Sequence, residues 1–253
     1  MIKELSISER KLIASLRTPK HRREAGLFLM EGSKSVLDNI GMFEYEMVVA
    51  RHAWLEQHAD QFSTAILRKA SSADMERVTA LATAPDVIAV CKLPEMTFTQ
   101  DVLKNRLVLA LDGVQDPGNL GTIIRTCDWF GVDVILCSRN TVDVYNPKVI
   151  QSTMGALARV KVFYVDLPDV LENCDAEIFG TFMDGDNIYN MCLPKQGIIV
   201  MGNEGNGISE DVARLVGRRI SIPAYHSSER RYVESLNVSI ATAITLNEFR
   251  RSQ

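Results

Sequence analysis

The sequence predicts an α/β protein with two domains, on three observations. Short apolar segments alternate with helical patterns along the chain, as in layered α/β folds. Beyond residue 105 the predicted strands are apolar on both faces, which suits a parallel sheet covered by helices. A polar stretch that begins with a proline, residues 94–105, interrupts the alternation. We therefore predict a small α/β domain over residues 1–97 and a larger α/β domain over residues 98–253.

The first domain is predicted to alternate strands with short helices. Ser71 and Asp74 have the spacing of a capping box, which marks the start of one of these helices. Strands are predicted at 26–32, 45–50, 64–70 and 86–93, and helices at 33–43, 53–60 and 72–82.

The second domain is predicted to hold longer apolar strands with helices between them. The strands are predicted at 106–114, 132–137, 161–165, 177–183, 197–202 and 218–224, and the helices at 121–130, 146–158, 168–174, 209–216 and 235–251. Ligands bind at the carboxyl ends of the strands in such sheets. The segments that follow these strands are therefore the first place to look for a site.

The composition is that of an ordinary globular protein. The 253 residues are 46% hydrophobic and 24% charged, with a net charge of −4. Arg10, Lys11 and Arg17 interrupt the apolar residues near the N-terminus, and no stretch has the roughly 18 apolar residues of a membrane helix. The five cysteines include no CxxC pair and no zinc-ligand spacing. We expect a cytoplasmic protein with free thiols, no metal and no membrane segment.

Basic residues are concentrated near the N-terminus, although the chain is acidic overall. Residues 10–23 contain six Lys or Arg residues, one His and no carboxylate. Such a local excess is expected of a segment that contacts phosphates. The alternative is a solvated helix face followed by a loop, which the charge alone favours.

A glycine-containing turn follows the first strand of the second domain, in DPGNLGTIIRTCDWFG, residues 116–131. Turns between a strand and a helix commonly bind phosphates or nucleotides. A nicotinamide-binding fingerprint needs GxGxxG and an acidic residue about 20 positions further on. Here the turn offers only Gly118 and Gly121, and the next strand is followed by Ser138 and Arg139. The pattern therefore argues against a nicotinamide site.

Three polar segments each include or follow a predicted strand of the second domain: residues 116–126, 199–209 and 220–244. Each segment alone could be a turn followed by a helix cap, with Ser235, for example, as an N-cap. Together they place more polar side chains beside glycine-rich backbone than a core needs. These side chains belong to Asn119, Arg125, Asn203, Glu204, Ser235 and Asn237.

In their order, the three segments closely resemble the three motifs of the SpoU or TrmH family of RNA ribose 2′-O-methyltransferases. The matches are at 119–126, at 202–208, and at Ile222 and Pro223 followed by 234–244; residues 146–157 resemble the intervening helix, and 26–40 the small domain that precedes many members. The resemblance implies a knotted catalytic domain behind a small RNA substrate-binding domain. It also implies S-adenosylmethionine as cofactor, S-adenosylhomocysteine as product, and a homodimer.

The matching positions and the basic segments supply the candidate site residues. The candidate catalytic residues are Arg125, Asn119, Ser235, Asn237 and Glu204. The candidate cofactor-binding residues are Gly202, Asn203, Gly205, Ile222, Pro223, Leu236 and Asn237. The candidate RNA-binding residues are Arg22, Arg23, Lys20, Arg125, Arg230 and Arg231.

In this family the arginine that Arg125 matches is held to activate the 2′-hydroxyl. A guanidinium retains its proton far above neutral pH, however, and is a poor general base. We expect Arg125 to orient an RNA phosphate and to stabilise developing alkoxide charge, with the proton acceptor left open. An ion pair with a carboxylate is the alternative for Arg125. Glu204 is expected to anchor its turn rather than to titrate.

Two departures from the family pattern leave alternatives open. Residues 224–233 form a longer connection than usual, without glycine, whose basic and aromatic residues could bind RNA or form a solvated loop. Gln151 stands where the family has an arginine. A catalytically silent RNA-binding relative and a methyltransferase acting on a base are the alternative functions. Ribosomal RNA is the favoured substrate, with transfer RNA as the alternative.

Overall fold

The structure is a computed structural model that describes residues 2–225 and 235–251. The chain divides into two compact units. Unit 1 comprises Met1–Glu95 and Asp143–Ala158, and unit 2 comprises Met96–Val142 and Arg159–Gln253. Each unit has its own sheet and its own apolar core, and the α/β class predicted from the sequence is confirmed.

Unit 1 is built on a mixed five-stranded sheet. Numbered along the chain, the strands are β1 (Lys3–Glu4), β2 (Leu27–Glu31), β3 (Tyr45–Ala50), β4 (Leu67–Lys69) and β5 (Val87–Lys92). Their order is β1-β4-β3-β5-β2, with β5 antiparallel to β2 and β3 and the other neighbours parallel. The helices are α1 (Ile7–Ser15), α2 (Pro19–Ala25), α3 (Ser33–Asp38), α4 (His52–His58), α5 (Ser72–Val78) and α7 (Pro147–Thr153). The predicted capping box at the start of α5 is present.

The segment Asp143–Ala158 packs in unit 1, whereas the sequence places it in the second domain. The ring of Tyr145 lies 4.8 Å from that of Phe28, and Ile150 and Leu157 join the same apolar cluster. These contacts join residues far apart in the sequence, so a linker composition cannot reveal them. The second domain drawn at 98–253 therefore needs this correction, and the boundary near residue 97 stays a prediction.

Arg22 is a buried structural residue. Only 1% of its surface is exposed to solvent. The guanidinium donates hydrogen bonds to the carbonyl oxygens of Leu16 and Arg17, at 2.9 and 3.0 Å, and pairs with the carboxylate of Asp143. The prediction that Arg22 binds RNA is wrong, because these donors are already engaged inside unit 1.

Unit 2 is built on a parallel six-stranded sheet. The strands are β6 (Leu107–Leu111), β7 (Val134–Ser138), β8 (Lys161–Val165), β9 (Ile178–Asn187), β10 (Gly197–Met201) and β11 (Arg218–Ser221), in the order β11-β9-β10-β6-β7-β8. The helices are α6 (Pro117–Trp129), α8 (Leu167–Glu172), α9 (Glu210–Ala213) and α10 (Val238–Arg251). All residues of β6, β7 and β10 are buried, as the apolar pattern predicts for strands covered on both faces. Single 3₁₀ turns lie at Ala59–Gln61, Gln100–Leu103, Ala156–Ala158 and Ile188–Asn190.

The sheet of unit 2 brings the candidate segments together at its carboxyl edge. Met201 of β10 pairs with Leu111 of β6, so the loops that follow these strands start side by side. Helices α6 and α10 run alongside each other in the same direction. Asn237 contacts Asn119 at one end of this pair, and Arg250 donates to the carbonyl oxygen of Phe130 at the other. The third segment, residues 220–244, includes the start of α10 and therefore lies beside the first segment, residues 116–126.

Within residues 2–225 and 235–251, no helix is both long enough and apolar enough to span a bilayer, and no cluster of His, Cys, Asp and Glu could hold a metal ion. Cys91, Cys127 and Cys137 are free and buried. Burial raises the pKa of all three thiols, so they stay protonated and unreactive at neutral pH.

Candidate active site

One amide side chain connects the three candidate segments. Asn119 lies in the first turn of α6, where the Asp116 carboxylate accepts its backbone N–H at 2.8 Å and caps the helix. The Nδ2 of Asn119 donates to Oε1 of Glu204 at 2.8 Å, and its Oδ1 accepts from Nδ2 of Asn237 at 2.9 Å. The three segments therefore meet in one hydrogen-bonded chain, which we call the amide chain (Glu204, Asn119 and Asn237).

The carboxylate of Glu204 holds the loop that precedes α6. Besides Asn119, the backbone N–H groups of Gln115 and Asp116 donate to it, each at 3.4 Å. Burial alone would raise the pKa of this carboxyl, but the hydrogen bonds from Asn119 and the backbone outweigh burial and lower the pKa below its ordinary value. Glu204 is therefore an anion at neutral pH, suited to anchoring the loop and not to donating a proton.

The second segment folds as a compact turn over residues 202–207. Asn203 and Gly207 exchange backbone hydrogen bonds of 2.9 and 3.0 Å, and Oδ1 of Asn203 accepts the N–H of Gly205 at 2.9 Å. A Cβ on Gly202 would lie 2.2 Å from the carbonyl carbon of Gly207, so only glycine fits there. The turn is thus closed on itself and presents backbone atoms at close range.

Asn237 starts α10. Its Oδ1 accepts the backbone N–H of Ser239 at 2.9 Å and so caps the helix. From the sequence, Ser235 is considered as the capping residue, but Asn237 makes this contact. Ser235 is exposed and makes no hydrogen bond to another described residue. Its hydroxyl is therefore available to a ligand.

Arg125 is exposed on α6, the helix whose first turn holds Asn119. Across residues 2–225 and 235–251, no carboxylate pairs with its guanidinium and no other hydrogen bond engages it. The ion pair considered from the sequence is thus absent from this part of the protein. A helix-mounted guanidinium without an internal partner is a ready site for an external anion.

The predicted cofactor-binding residues have a chemistry that suits the adenosine part of S-adenosylmethionine, and their role in binding stays a prediction. Ile222 and Pro223 follow β11 and are half-buried, and Leu236, before α10, is 51% exposed. Apolar side chains with exposed surface suit the face of a purine. The turn at residues 202–207 adds backbone without Cβ atoms at three positions, including Gly205.

The predicted RNA-binding residues do not share one environment. Lys20 and Arg23 are exposed on α2 of unit 1, as a phosphate-contacting pair would be. Arg22, between them in the basic segment at residues 10–23, is buried. Arg230 and Arg231 lie outside the described residues.

Asp112 is a polar residue near the site that the sequence motifs do not include. Asp112 directly follows β6 and is buried, and its Oδ2 accepts the backbone N–H of Ser209 at 2.7 Å. The available signal was a carboxylate at the carboxyl end of an entirely apolar strand, where ligands bind in parallel sheets. The positions that match the family motifs start only at Asn119 and do not include Asp112.

The structure resembles known methyltransferases over its full length. A model of the SpoU rRNA Methylase family matches residues 106–247. The 23S rRNA (guanosine(2553)-2′-O)-methyltransferase RlmP of Bacillus subtilis is 30% identical over 243 residues, which is 93% of either chain. A TrmH-family protein from Porphyromonas gingivalis has a TM-score of 0.89 at 37% identity, covering 98% of this chain and 99% of that one. The AdoMet-bound rRNA methyltransferase of Sinorhizobium meliloti has a TM-score of 0.84 at 27% identity, covering 99% and 97%.

Fold, site and likeness together define an RNA methyltransferase that uses S-adenosylmethionine. The family model spans more than half of the sequence and all three candidate segments. The chain belongs to the SpoU rRNA Methylase family. The family, the enzyme class and the cofactor predicted from the sequence are thereby confirmed.

Proposed function

We propose that this enzyme methylates a ribose 2′-hydroxyl of ribosomal RNA, with the amide chain and Arg125 forming the active site. The observation that carries the proposal is the Arg125 guanidinium, which has no partner among the described residues and lies on the helix whose first turn holds Asn119. Ribosomal RNA is favoured over transfer RNA because the relatives from Bacillus subtilis and Sinorhizobium meliloti are named for it.

Arg125 holds the RNA phosphate beside the target ribose. Its planar fork of donors matches two phosphate oxygens, which fixes the position of the adjacent sugar. Bound S-adenosylmethionine supplies an electrophilic methyl group on a sulfonium sulfur. Holding the 2′-oxygen in line with that methyl turns a bimolecular step into an effectively unimolecular one. The fixed guanidinium also stabilises negative charge that develops on the oxygen.

The amide chain positions the reacting groups. Glu204 fixes the orientation of the Asn119 amide, and Asn119 in turn fixes Asn237 at the start of α10. The hydroxyl of Ser235, two residues earlier, is free to contact the ribose or its phosphate. Glu204 is not the proton acceptor, because its oxygens already accept hydrogen bonds and its lowered pKa makes it a weak base.

We also propose a homodimer, which exposed apolar side chains of unit 2 support. Trp129 on α6 is 85% exposed, and Ile240 on α10 and the preceding Leu236 are each 51% exposed. The two helices pack side by side, so a second copy could cover their apolar residues together. The proposed location is the cytoplasm.

A trefoil knot in unit 2 is proposed from family membership. In this proposal unit 2 is the catalytic part, and unit 1 recognises the RNA.

Replacing Lys20 and Arg23 together with glutamate is expected to weaken RNA binding about tenfold or more at low salt. Two lost phosphate contacts would also reduce the slope of log affinity against log salt by about 1.5. The measurement is a filter-binding titration at several salt concentrations. Lys3 and Lys34, which are exposed elsewhere in unit 1, give the matched control with the same charge change. Equal slopes for the two double variants would remove α2 from the RNA surface.

The function is tested by incubating the protein with labelled S-adenosylmethionine and unmodified ribosomal or transfer RNA. A ribose 2′-O-methyl group blocks alkaline cleavage at its own position, because the attacking hydroxyl is gone. We expect label in ribosomal RNA and one alkali-resistant position. Label without alkali resistance would indicate methylation of a base, and cofactor binding without label in either RNA would indicate a silent relative.

A further inference from the structure

The segment from Asn203 to Ser209 is hydrogen-bonded at both ends to two consecutive residues after β6. At its start, Nδ2 of Asn203 donates to the carbonyl oxygen of Gly113 at 2.7 Å. At its end, the backbone N–H of Ser209 donates to Oδ2 of Asp112 at 2.7 Å. The segment from Asn203 to Ser209 is thus held at two points on one rigid strand end.

The side chain of Asp112 is a buried carboxylate at the carboxyl edge of the sheet. It is 7% exposed, and no lysine, arginine or histidine among the described residues forms an ion pair with it. Burying a carboxylate away from water is costly unless hydrogen bonds compensate. The bond from Ser209 compensates here, and it exists only when the turn occupies its observed position.

Gly113 adds a constraint to the same strand end. Its φ of +77° is a conformation that side chains disfavour, and its N–H donates to Oγ of Ser138 at 2.8 Å. The direction of its carbonyl group toward Asn203 is therefore fixed from the β7 side. The two anchoring points cannot move independently of the sheet.

We propose that Asp112 is a positioning residue for the cofactor site: through the N–H of Ser209 it fixes the turn at residues 202–207 in the shape that binds S-adenosylmethionine. This inference rests on the proposed location of the cofactor at that turn. Asp112 does not touch the reacting atoms in this proposal, and it acts through the geometry of the loop.

The test is the affinity for S-adenosylmethionine, measured by calorimetry, together with steady-state kinetics on RNA. Asp112→Ala is expected to weaken cofactor affinity about 10- to 100-fold, the effect of losing a hydrogen bond to a charged group. It should raise KM for the cofactor by a similar factor and leave kcat at saturation within about threefold. Asp112→Asn keeps an acceptor oxygen for Ser209 and should restore most of the affinity.

Glu31→Ala is the matched control. Glu31 is also 7% exposed and also accepts a backbone N–H, from Ala80 at 2.9 Å, but it lies in unit 1. This variant should lower Tm by several degrees while cofactor affinity stays within about twofold. A merely structural role for Asp112 would produce the same pattern, with a lower Tm and unchanged affinity, and would overturn the proposal.

A second variant probes the same bond from its other side and keeps the test decisive if Asp112→Ala folds poorly. Ser209 has a φ of −63°, which proline can adopt, so Ser209→Pro removes the N–H donor with little backbone change. Ser209→Pro should weaken affinity as Asp112→Ala does, and unchanged affinity would overturn the proposal; combining these two substitutions should add little. Additive losses would overturn the proposal. Failure of the wild-type protein to bind the cofactor would overturn the cofactor site itself, which is a different result.

Discussion

Replacing Arg125 with alanine is expected to reduce kcat for methyl transfer by about 10²- to 10³-fold, the usual cost of removing one group that stabilises transition-state charge. Cofactor affinity should stay within about twofold, because Arg125 makes no hydrogen bond or ion pair with the turn at residues 202–207. Single-turnover methylation of ribosomal RNA, with calorimetry for the cofactor, measures the two effects separately. A comparable loss of cofactor affinity would contradict the assigned role.

Two further variants sharpen this result. Arg125→Lys keeps the charge but not the planar fork, so it should recover only part of the rate. Arg214→Ala is the matched control, because Arg214 is an exposed arginine of unit 2 that pairs on the surface with Glu210 and Asp211. This control should leave the rate unchanged. If Arg125→Lys were as active as the wild type, a point charge would suffice and the bidentate contact would be wrong.

Replacing Glu204 with glutamine is expected to lower kcat/KM about 10- to 100-fold, because the amide accepts weaker hydrogen bonds from Asn119 and the backbone. The folded pKa of Glu204 is lowered, so its contribution to stability is fully present above the ordinary glutamate pKa and is lost only as the pH falls through the lowered value. Between pH 6 and 9 its charge is therefore constant.

The pH profile separates this anchoring role from acid–base catalysis. Glu204→Gln should lower the rate by the same factor at every pH between about 6 and 9. Glu210→Gln, a change of an exposed glutamate on α9, serves as control and should leave the rate unaffected. Loss of an inflection from the profile of Glu204→Gln would mean that Glu204 exchanges protons in the reaction.

Periodicity predicted most strands and helices from residue 26 onward, because apolar alternation reflects which faces are buried, but it did not predict β1, α1 and α2. β3 and β8, for example, have the predicted ends. The sequence also indicated the three polar segments, since polar groups after apolar strands need a reason that core packing does not supply, and the roles of their residues stay predictions. Asn119, Glu204 and Asn237 meet because β6 and β10 pair in parallel and their following loops start side by side. The sequence indicates a parallel sheet but not which strands are neighbours.

What the sequence could not supply depends on long-range packing. The sequence does not distinguish the six basic residues at 10–23 from one another. In the structure, however, Arg22 is buried and pairs with Asp143, 121 positions away. The capping role at α10 belongs to Asn237, because its Oδ1 reaches the N–H of Ser239, whereas Ser235 points to no described partner. Asp112 was missed because its significance lies in a bond to Ser209, 97 positions further along.

The discontinuity of unit 1 affects how the protein is made. During synthesis a domain normally folds once its last residue leaves the ribosome, and the N-terminal domain folds first. Here we expect Met1–Glu95 to wait for Asp143–Ala158, and the part of unit 2 that contains its first two strands, β6 and β7, emerges in between. At typical translation speeds that interval lasts several seconds, during which the apolar strands β6 and β7 are present without β8–β11. The nascent chain therefore exposes unpaired edges of apolar strands, which make folding intermediates prone to aggregation.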